Sequence, residues 1–247
     1  MLAEQRAAAI LREVTERRAA SVTDLCRITG ASETTIRRDL NALARQGRLS
    51  KVHGGAVIIN PEFSGEEPDM ETKSHLCTRE KERIAACAAG LIRDDDIVFL
   101  DAGTTVMHIP EHLHASKAMF LTNSVECARR LMERDLRTYV LGGTLKPGTM
   151  AIVGAETLDS LRRYNFTKAF LGANGVAIAQ GFTTPDPEEA AVKALAASRA
   201  QSAFVLADSS KFGRVTAVMI FPIDAAEIIT DRVPDLQYKE YTRIREV

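Results

Sequence analysis

The sequence predicts an α/β protein in two parts, a small N-terminal winged helix-turn-helix and a larger C-terminal unit built on a parallel sheet. Three observations predict it. The first stretch reads as short amphipathic helices joined by a glycine-containing turn and followed by two short strands. From residue 80 onward, continuous apolar strands alternate with amphipathic helices, the pattern of a sheet covered on both faces. The charge divides at the same place. Residues 1–58 carry 10 Lys/Arg and 6 Asp/Glu, net +4, whereas 59–247 carry 22 and 27, net −5. The chain of 247 residues is 45% apolar, enough for a sizeable core. The expected divisions are a head over 1–58, a linker over 59–79 and an α/β unit over 80–247.

In the head, Ile10, Leu11 and Val14 mark one face of a helix over Ala3 to Arg18. Ser21 or Thr23 caps a second helix whose inward residues are Leu25 and Ile28. "TGAS" turns the chain at Gly30, and Ser32 caps a third helix. Ile36, Leu40 and Leu43 fall at i, i+4 and i+7, a buried stripe, and Gly47 ends the helix. That stripe turns Thr34, Thr35, Arg37 and Arg38 outward on the first two turns, where a recognition helix reaches base edges. Arginine grips guanine with two hydrogen bonds, and a threonine methyl meets that of thymine. Leu49–Val52 and Ala56–Ile59 form a hairpin tipped by "HGG", a wing that brings Lys51 and His53 toward phosphates. The candidate DNA-binding residues are Ser32, Thr34, Thr35, Arg37, Arg38, Lys51 and His53. Paired arginines are often only a solvated face, but turn, stripe, basic helix and basic wing occur here in the order DNA binding needs.

Residues 60–79, "NPEFSGEEPDMETKSHLCTR", are polar and acidic without periodicity and read as a linker with one short structured piece. Next comes the helix "EKERIAACAAGLI", with Ile84, Cys87, Ala88 and Leu91 inward. "IVFLDAG" is a strand, followed by a helix through "TTVMHIPEHL". Strand "MFLTNS", helix "VECARRLMER", strand "TYVLGG", helix "GAETLDSLRRY" and strand "KAFLGANG" succeed one another. Helix "PEEAAVKALAASRA" and strand "SAFVLADSSK" follow, and "EIITD" reads as the last strand.

Five apolar strands end in "DAGTT", "TNS", "LGG", "GANG" and "ADSSK". In a parallel sheet all five emerge on one edge, where open α/β folds bind ligands. Glycine allows close backbone approach, and Thr104 and Thr105 open a helix whose free N–H groups suit a phosphate. Asn123 and Ser124 repeat this at the next helix, and Lys211 adds a cation. Turns need Gly, Asn and Ser on any account, but five such loops on one rim point to a small anionic, polyhydroxylated ligand.

Other features point to less. Cys26, Cys77, Cys87 and Cys127 form no CxxC pair and read as buried thiols in a reducing compartment. His108, His112 and His114 lie close together, but Pro110 interrupts them and no further ligand is near, so no metal site is expected. The N-terminus lacks the apolar run of a signal peptide. The longest uncharged stretch, Ala169 to Pro185, is broken by three glycines and is no membrane span. A soluble cytoplasmic protein without cofactor is expected. The sequence has no nucleophile elbow, P-loop or GxGxxG motif.

The motifs "SETTIRRDLNALARQGRLSKVHGGAV", "EKERIA", "VFLDAGTT", "LTNS", "VLGG", "FLGANG", "GFTTPDPEEAAVK" and "LADSSKFG" together resemble DeoR-type sugar-catabolism repressors over nearly the full length. The resemblance implies a C-terminal unit like the ribose-phosphate isomerase and glucosamine-phosphate deaminase folds, sensing a phosphorylated sugar that loosens the hold on operator DNA. Carried over by position, it implies effector contacts from Asp101, Gly103, Thr104, Thr105, Asn123, Ser124, Gly142, Gly143, Asn174, Glu189, Lys193, Asp208 and Lys211. A homo-oligomer, dimer or tetramer, on double-stranded DNA is expected, because a dimer's two-fold axis matches a palindromic operator. The rival expectation is a sugar-phosphate isomerase-like enzyme fused to a DNA-binding head, with Asp101, Glu189 or Asp208 as base.

Overall fold

The computed structural model describes residues 2–17, 19–45, 49–52, 54–57, 62–63, 70–114 and 116–247. The chain divides into two units, Met1–Pro61 with Pro234–Leu236, and Glu62–Val233 with Gln237–Val247.

The first unit contains α1 (Ala3–Arg17), β1 (Ala19–Ser21), α2 (Val22–Thr29), α3 (Glu33–Arg45), β2 (Ser50–Val52) and β3 (Gly55–Val57). Ser21, not Thr23, caps α2; its hydroxyl accepts from Asp24 N–H at 3.1 Å. Gly30, at φ 69°, closes that helix, its N–H donating to the Cys26 carbonyl. Ile36, Leu40 and Leu43 are buried with Ile10, Val14 and Leu25, so the periodic stripe is the core of this unit. Ile28 is only half-buried. Arg6 on α1 donates to Asp39 on α3 through Nε at 2.5 Å and Nη2 at 3.4 Å, fixing one helix on the other at the rim of their apolar contact.

β1 was not expected. "AAS" has no alternation to announce a strand; it becomes one by pairing antiparallel with β3, which also pairs with β2. The pairing needs Gly55, where a Cβ would lie 2.3 Å from the Ala20 carbonyl oxygen. Gly47 and His53 lie outside the described residues.

The second unit opens with β4 (Glu62–Phe63), α4 (Met70–His75) and α5 (Thr78–Ala89). Then come β5 (Ile97–Leu100), β6 (Met119–Thr122), α6 (Val125–Met132), β7 (Thr138–Val140), β8 (Thr144–Leu145), β9 (Ile152–Val153), α7 (Ala155–Leu161) and β10 (Phe166–Gly172). β11 (Gly175–Ala177), β12 (Gly181–Thr184), α8 (Pro187–Ser198), β13 (Ala200–Leu206), β14 (Arg214–Val215), β15 (Val218–Phe221), β16 (Glu227–Thr230) and β17 (Ile244–Glu246) complete it. Seven strands form one sheet in the order β17-β16-β13-β10-β5-β6-β7. Every neighbouring pair in it is parallel.

Successive side chains leave a strand on opposite faces, so both faces need cover. Val98, Leu100, Phe120, Phe170 and Phe204 meet Ile84, Ala88 and Leu131 on one side. Phe99, Leu121, Ala169, Leu171 and Val205 meet Leu161, Val192 and Ala196 on the other. Cys87 and Leu91, expected inward, are half-buried at the margin.

Four expectations are corrected. The stretch after β5 is a 3-10 helix, Val106–His112, with Pro110 inside it. Proline lacks an N–H and clashes with the preceding turn, which an α-helix does not tolerate there. "EIITD" is not the last strand, since Ile244–Glu246 adds parallel to it at the sheet edge. β11, β12 and β15 form a separate antiparallel sheet, which the "GANG" and "GFTT" segments enter as short strands. Of the cysteines, Cys127 alone is buried; Cys26 and Cys87 are half-buried and Cys77 is exposed. Burial pushes the Cys127 thiol up to about 12.

Asp96 ties β5 to β10 at their amino ends, accepting from Arg93 N–H at 2.7 Å, Thr167 Oγ1 at 2.7 Å and Lys168 Nζ at 2.5 Å. Burial alone would raise its pKa; the hydrogen bonds from Lys168, Thr167 and Arg93 outweigh that and lower it. A carboxylate whose folded pKa is depressed stabilises the fold above its unfolded pKa and loses that contribution as pH falls through the folded value. Acid denaturation of the parent should therefore release this contribution below the ordinary aspartate range. Asp96→Asn should cost about 1–3 kcal/mol at neutral pH and flatten the acid limb of stability against pH. Denaturant titrations at stepped pH measure both.

Candidate functional site

β13, β10, β5, β6 and β7 are neighbours in the sheet, so their five terminal loops do emerge along one edge. Three of those loops share one cavity. "DAGTT" supplies Ala102, Gly103, Thr104 and Thr105; "GANG" supplies Gly172, Ala173 and Asn174; the end of β13 and the turn after it supply Leu206 and Lys211. Glu189 and Lys193 enter from α8, one helical turn apart. Met70, Lys73, Leu76, Lys81 and Thr149 complete the wall. Counted with the open solvent at its mouth, the space amounts to about 690 Å³.

Asp101 organises this wall from behind, with the residue 1% exposed. Its Oδ2 accepts from Gly172 N–H at 2.9 Å and from the Lys193 ammonium. The two loops touch there through backbone: a Cβ on Gly103 would sit 3.2 Å from the Gly172 Cα. Glycine at both positions lets the strand ends close up beneath the cavity. Asp208, also 1% exposed, accepts from Ser210 N–H at 3.0 Å and lies 4.0 Å from Lys211 Nζ. Asp101 and Asp208 thus orient wall residues without lining the cavity. Asn174 Oδ1 accepts from Thr184 Oγ1 at 3.1 Å.

The other two loops are used locally. Ser124 caps α6 by accepting from Cys127 N–H at 3.1 Å. Asn123 Nδ2 donates to the Ile152 carbonyl at 3.2 Å. The Gly142 carbonyl accepts from Thr157 Oγ1 at 2.8 Å, and Gly143 turns the chain into β8. None of Asn123, Ser124, Gly142 and Gly143 lines the cavity. Thr104 and Thr105 do line it, but they precede a 3-10 helix and not the α-helix expected.

Sequence reasoning missed Lys81, although a trace of it was legible. Lys81 stands three residues before Ile84 on the buried stripe of α5, where a lysine is out of place. It is 3% exposed and donates to the Lys73 carbonyl. Burial holds its pKa below the ordinary lysine range, against the pull of Asp208. Met70, Lys73, Leu76 and Thr149 gave no such trace. Met70 N–H donates to the Gly148 carbonyl at 2.9 Å, joining α4 to the loop that carries Thr149.

The wall carries Lys73, Lys81, Lys193 and Lys211 against one carboxylate, Glu189. With Lys193 committed to Asp101, a cationic surplus faces the cavity. Gathered hydroxyls, amides and ammonium groups of this kind can hold an anionic, hydroxylated molecule. The histidines lie apart: His108 is buried and faces Glu111 at 3.4 Å. Among the described residues, no group of three or more His, Cys, Asp or Glu is placed to hold a metal ion.

In the first unit, Ser32, Thr34, Arg37 and Arg38 are exposed on or beside α3, and Thr35 is half-buried. Arg37 pairs with Glu33 one turn earlier, while Arg38 makes no ion pair among the described residues. Lys51 on β2 is exposed and donates to Asn41 Oδ1 at 2.9 Å.

Comparison with known proteins covers both units. The family model "DeoR-like helix-turn-helix domain" matches residues 6–62, and "DeoR C terminal sensor domain" matches 76–232. The chain is 39% identical over 242 residues to "Uncharacterized HTH-type transcriptional regulator FruR" of Bacillus subtilis (strain 168), covering 98% of this chain and 96% of that one. It is 33% identical over 208 residues to "Lactose phosphotransferase system repressor" of Staphylococcus epidermidis, covering 83% and 82%. Among solved structures, ribose 5 phosphate isomerase A from Neisseria gonorrhoeae aligns with a TM-score of 0.39 at 17% identity, covering 53% of this chain and 52% of that one.

The Asp101–Lys193 pair is buried at 2% and 6% side-chain exposure. Breaking such a pair from one side strands a buried charge, at a cost of about 3–5 kcal/mol. Lys193→Met should show a loss of that size in urea denaturation of the second unit. A loss below about 1 kcal/mol would mean that solvent screens the pair.

Proposed function

The chain belongs to the DeoR family of DNA-binding transcriptional regulators, and from this we propose that it represses a sugar-catabolism operon and is released from its operator by a phosphorylated sugar. The observation that carries the effector half is the single cavity in which three strand-end loops meet four lysines and one glutamate. A phosphate takes charge-assisted hydrogen bonds from the lysines and threonines; sugar hydroxyls take the remaining polar groups. A relative whose name makes it a repressor of a lactose phosphotransferase system fits the same reading.

On this reading, residues 1–58 are the DNA-binding head, 59–79 a linker and 80–247 the sensing unit. Gly103, Thr104, Thr105, Asn174, Glu189, Lys193 and Lys211 contact the effector, with Asp101 and Asp208 behind them. Thr34, Thr35, Arg37 and Arg38 read the major groove, while Ser32 and Lys51 face the backbone. The protein acts as a homo-oligomer in the cytoplasm, because a two-fold pair of heads matches a palindromic operator. Among the described residues no helix is long and apolar enough to cross a membrane. The cavity senses its ligand and does not convert it.

Effector and operator are then coupled reciprocally, each weakening the other by a free energy of about 1–3 kcal/mol, or roughly 5- to 150-fold in affinity. A thermal-shift screen of triose to hexose monophosphates tests the effector reading; at least one should raise the melting temperature and weaken DNA binding. Lys211→Ala should abolish that shift while leaving operator affinity in the absence of sugar as in the parent. Arg38→Ala should weaken operator binding by about tenfold or more, the equivalent of one lost bidentate contact, with sugar binding to the free protein intact. Electrophoretic mobility shifts on DNA fragments selected by the parent protein read both.

A further inference from the structure

Two polar atoms on the cavity wall are buried without a hydrogen-bond partner, Glu189 Oε1 and Thr149 Oγ1. Glu189 as a residue is 7% exposed. Its nearest cation, Lys146, stands 3.7 Å from Oε1, and the Lys146 ammonium is closer to Asp186. A buried carboxylate oxygen lacking a donor is costly, and native proteins rarely leave one so. Both residues line the cavity. A carboxylate oxygen only accepts, so it asks for a hydroxyl; the threonine hydroxyl can give or take.

The cationic part of the wall comes from other elements. Lys81 rises from α5 and bonds to a carbonyl, not a carboxylate, and Lys211 stands 4.0 Å from its nearest acid. Glu189 and Thr149 come from α8 and the loop between β8 and β9.

We infer that Glu189 is a specificity residue: the cavity takes a sugar bearing a single phosphate, with the phosphate toward Lys81 and Lys211 and a free hydroxyl donating to Glu189. A second phosphate at the hydroxyl end meets a buried carboxylate and is rejected by charge. This rests on the sugar-phosphate reading of the cavity and adds an orientation to it. Losing a charge-assisted hydrogen bond and gaining a like-charge contact should cost a bisphosphate about tenfold or more in affinity.

The test uses the full-length protein and calorimetric titration with fructose 1-phosphate, fructose 6-phosphate and fructose 1,6-bisphosphate, and with the matching glucose set. In at least one set the parent should bind a monophosphate about tenfold or more tightly than the bisphosphate. In Glu189→Gln, which keeps shape and an accepting oxygen but removes the charge, that ratio should fall to within about twofold. Thr149→Val should weaken monophosphate binding and keep the ratio. Equal parental affinity for mono- and bisphosphate overturns the inference, and so does a ratio that survives Glu189→Gln. If the Gln variant does not fold, the parental ratio decides. Absence of binding by every monophosphate would remove both this inference and the sugar-phosphate reading; binding with an unchanged ratio would remove this inference alone.

Discussion

The cavity depends on one carboxylate that does not line it. Asp101 closes β5 and reaches across to the Gly172 N–H at the end of β10 and to the ammonium of Lys193 on α8. Three elements far apart in sequence thereby acquire a common origin. Each bond is charge-assisted and shielded from water, so it is directional as well as strong. The same contact explains the glycines at 103 and 172, since side chains there would push the two loops apart. A parallel sheet delivers its strand ends to one edge, but whether neighbouring loops converge there or splay is decided by contacts of this kind.

The first unit shows the same division between pattern and contact. Hydrophobic period alone places Ile36, Leu40 and Leu43 inward and so leaves Arg37 and Arg38 outward. The Arg6–Asp39 bond then holds α3 against α1, which fixes how the outward face is presented within this unit. The charged pair lies at the rim of an apolar core, where it adds direction to a helix crossing that apolar contact alone leaves loose.

Much of this was legible in the sequence, and the reason is periodicity. Apolar strands and amphipathic helices announced themselves by their periods, and the gathering of the strand-end loops on one edge followed from parallel topology. What was not legible depended on which way a loop folds. "TNS" and "LGG" have the composition of ligand loops, yet Ser124 spends its hydroxyl on a helix cap and the Gly142 carbonyl bonds to Thr157. Composition does not separate these uses, because a cap and a phosphate cradle need the same small polar residues. Thr149, Met70 and Leu76 reach the cavity by tertiary packing that no local pattern encodes. Lys81 is the intermediate case: a charged residue on a buried stripe is a local contradiction, and such contradictions concentrate at functional sites.

The distribution of carboxylates also bears on what the cavity does. Proton transfer between sugar carbons needs a base poised at the substrate. Asp101 is engaged by Lys193 and Gly172 and sits behind the wall; Asp208 is engaged by Ser210 and does the same. Of the three, only Glu189 lines the space, and its Oε1 is buried without a hydrogen-bond partner. In the sensing role proposed above the wall need only bind a ground state, since equal binding of ground and transition states gives affinity without rate. A sensor needs only that affinity, provided the ligand binds one conformation of the protein better than another. On the proposed reading the acids that orient this wall serve recognition: by fixing the lysines and the loop backbone they lower the cost of ordering the site when a ligand arrives.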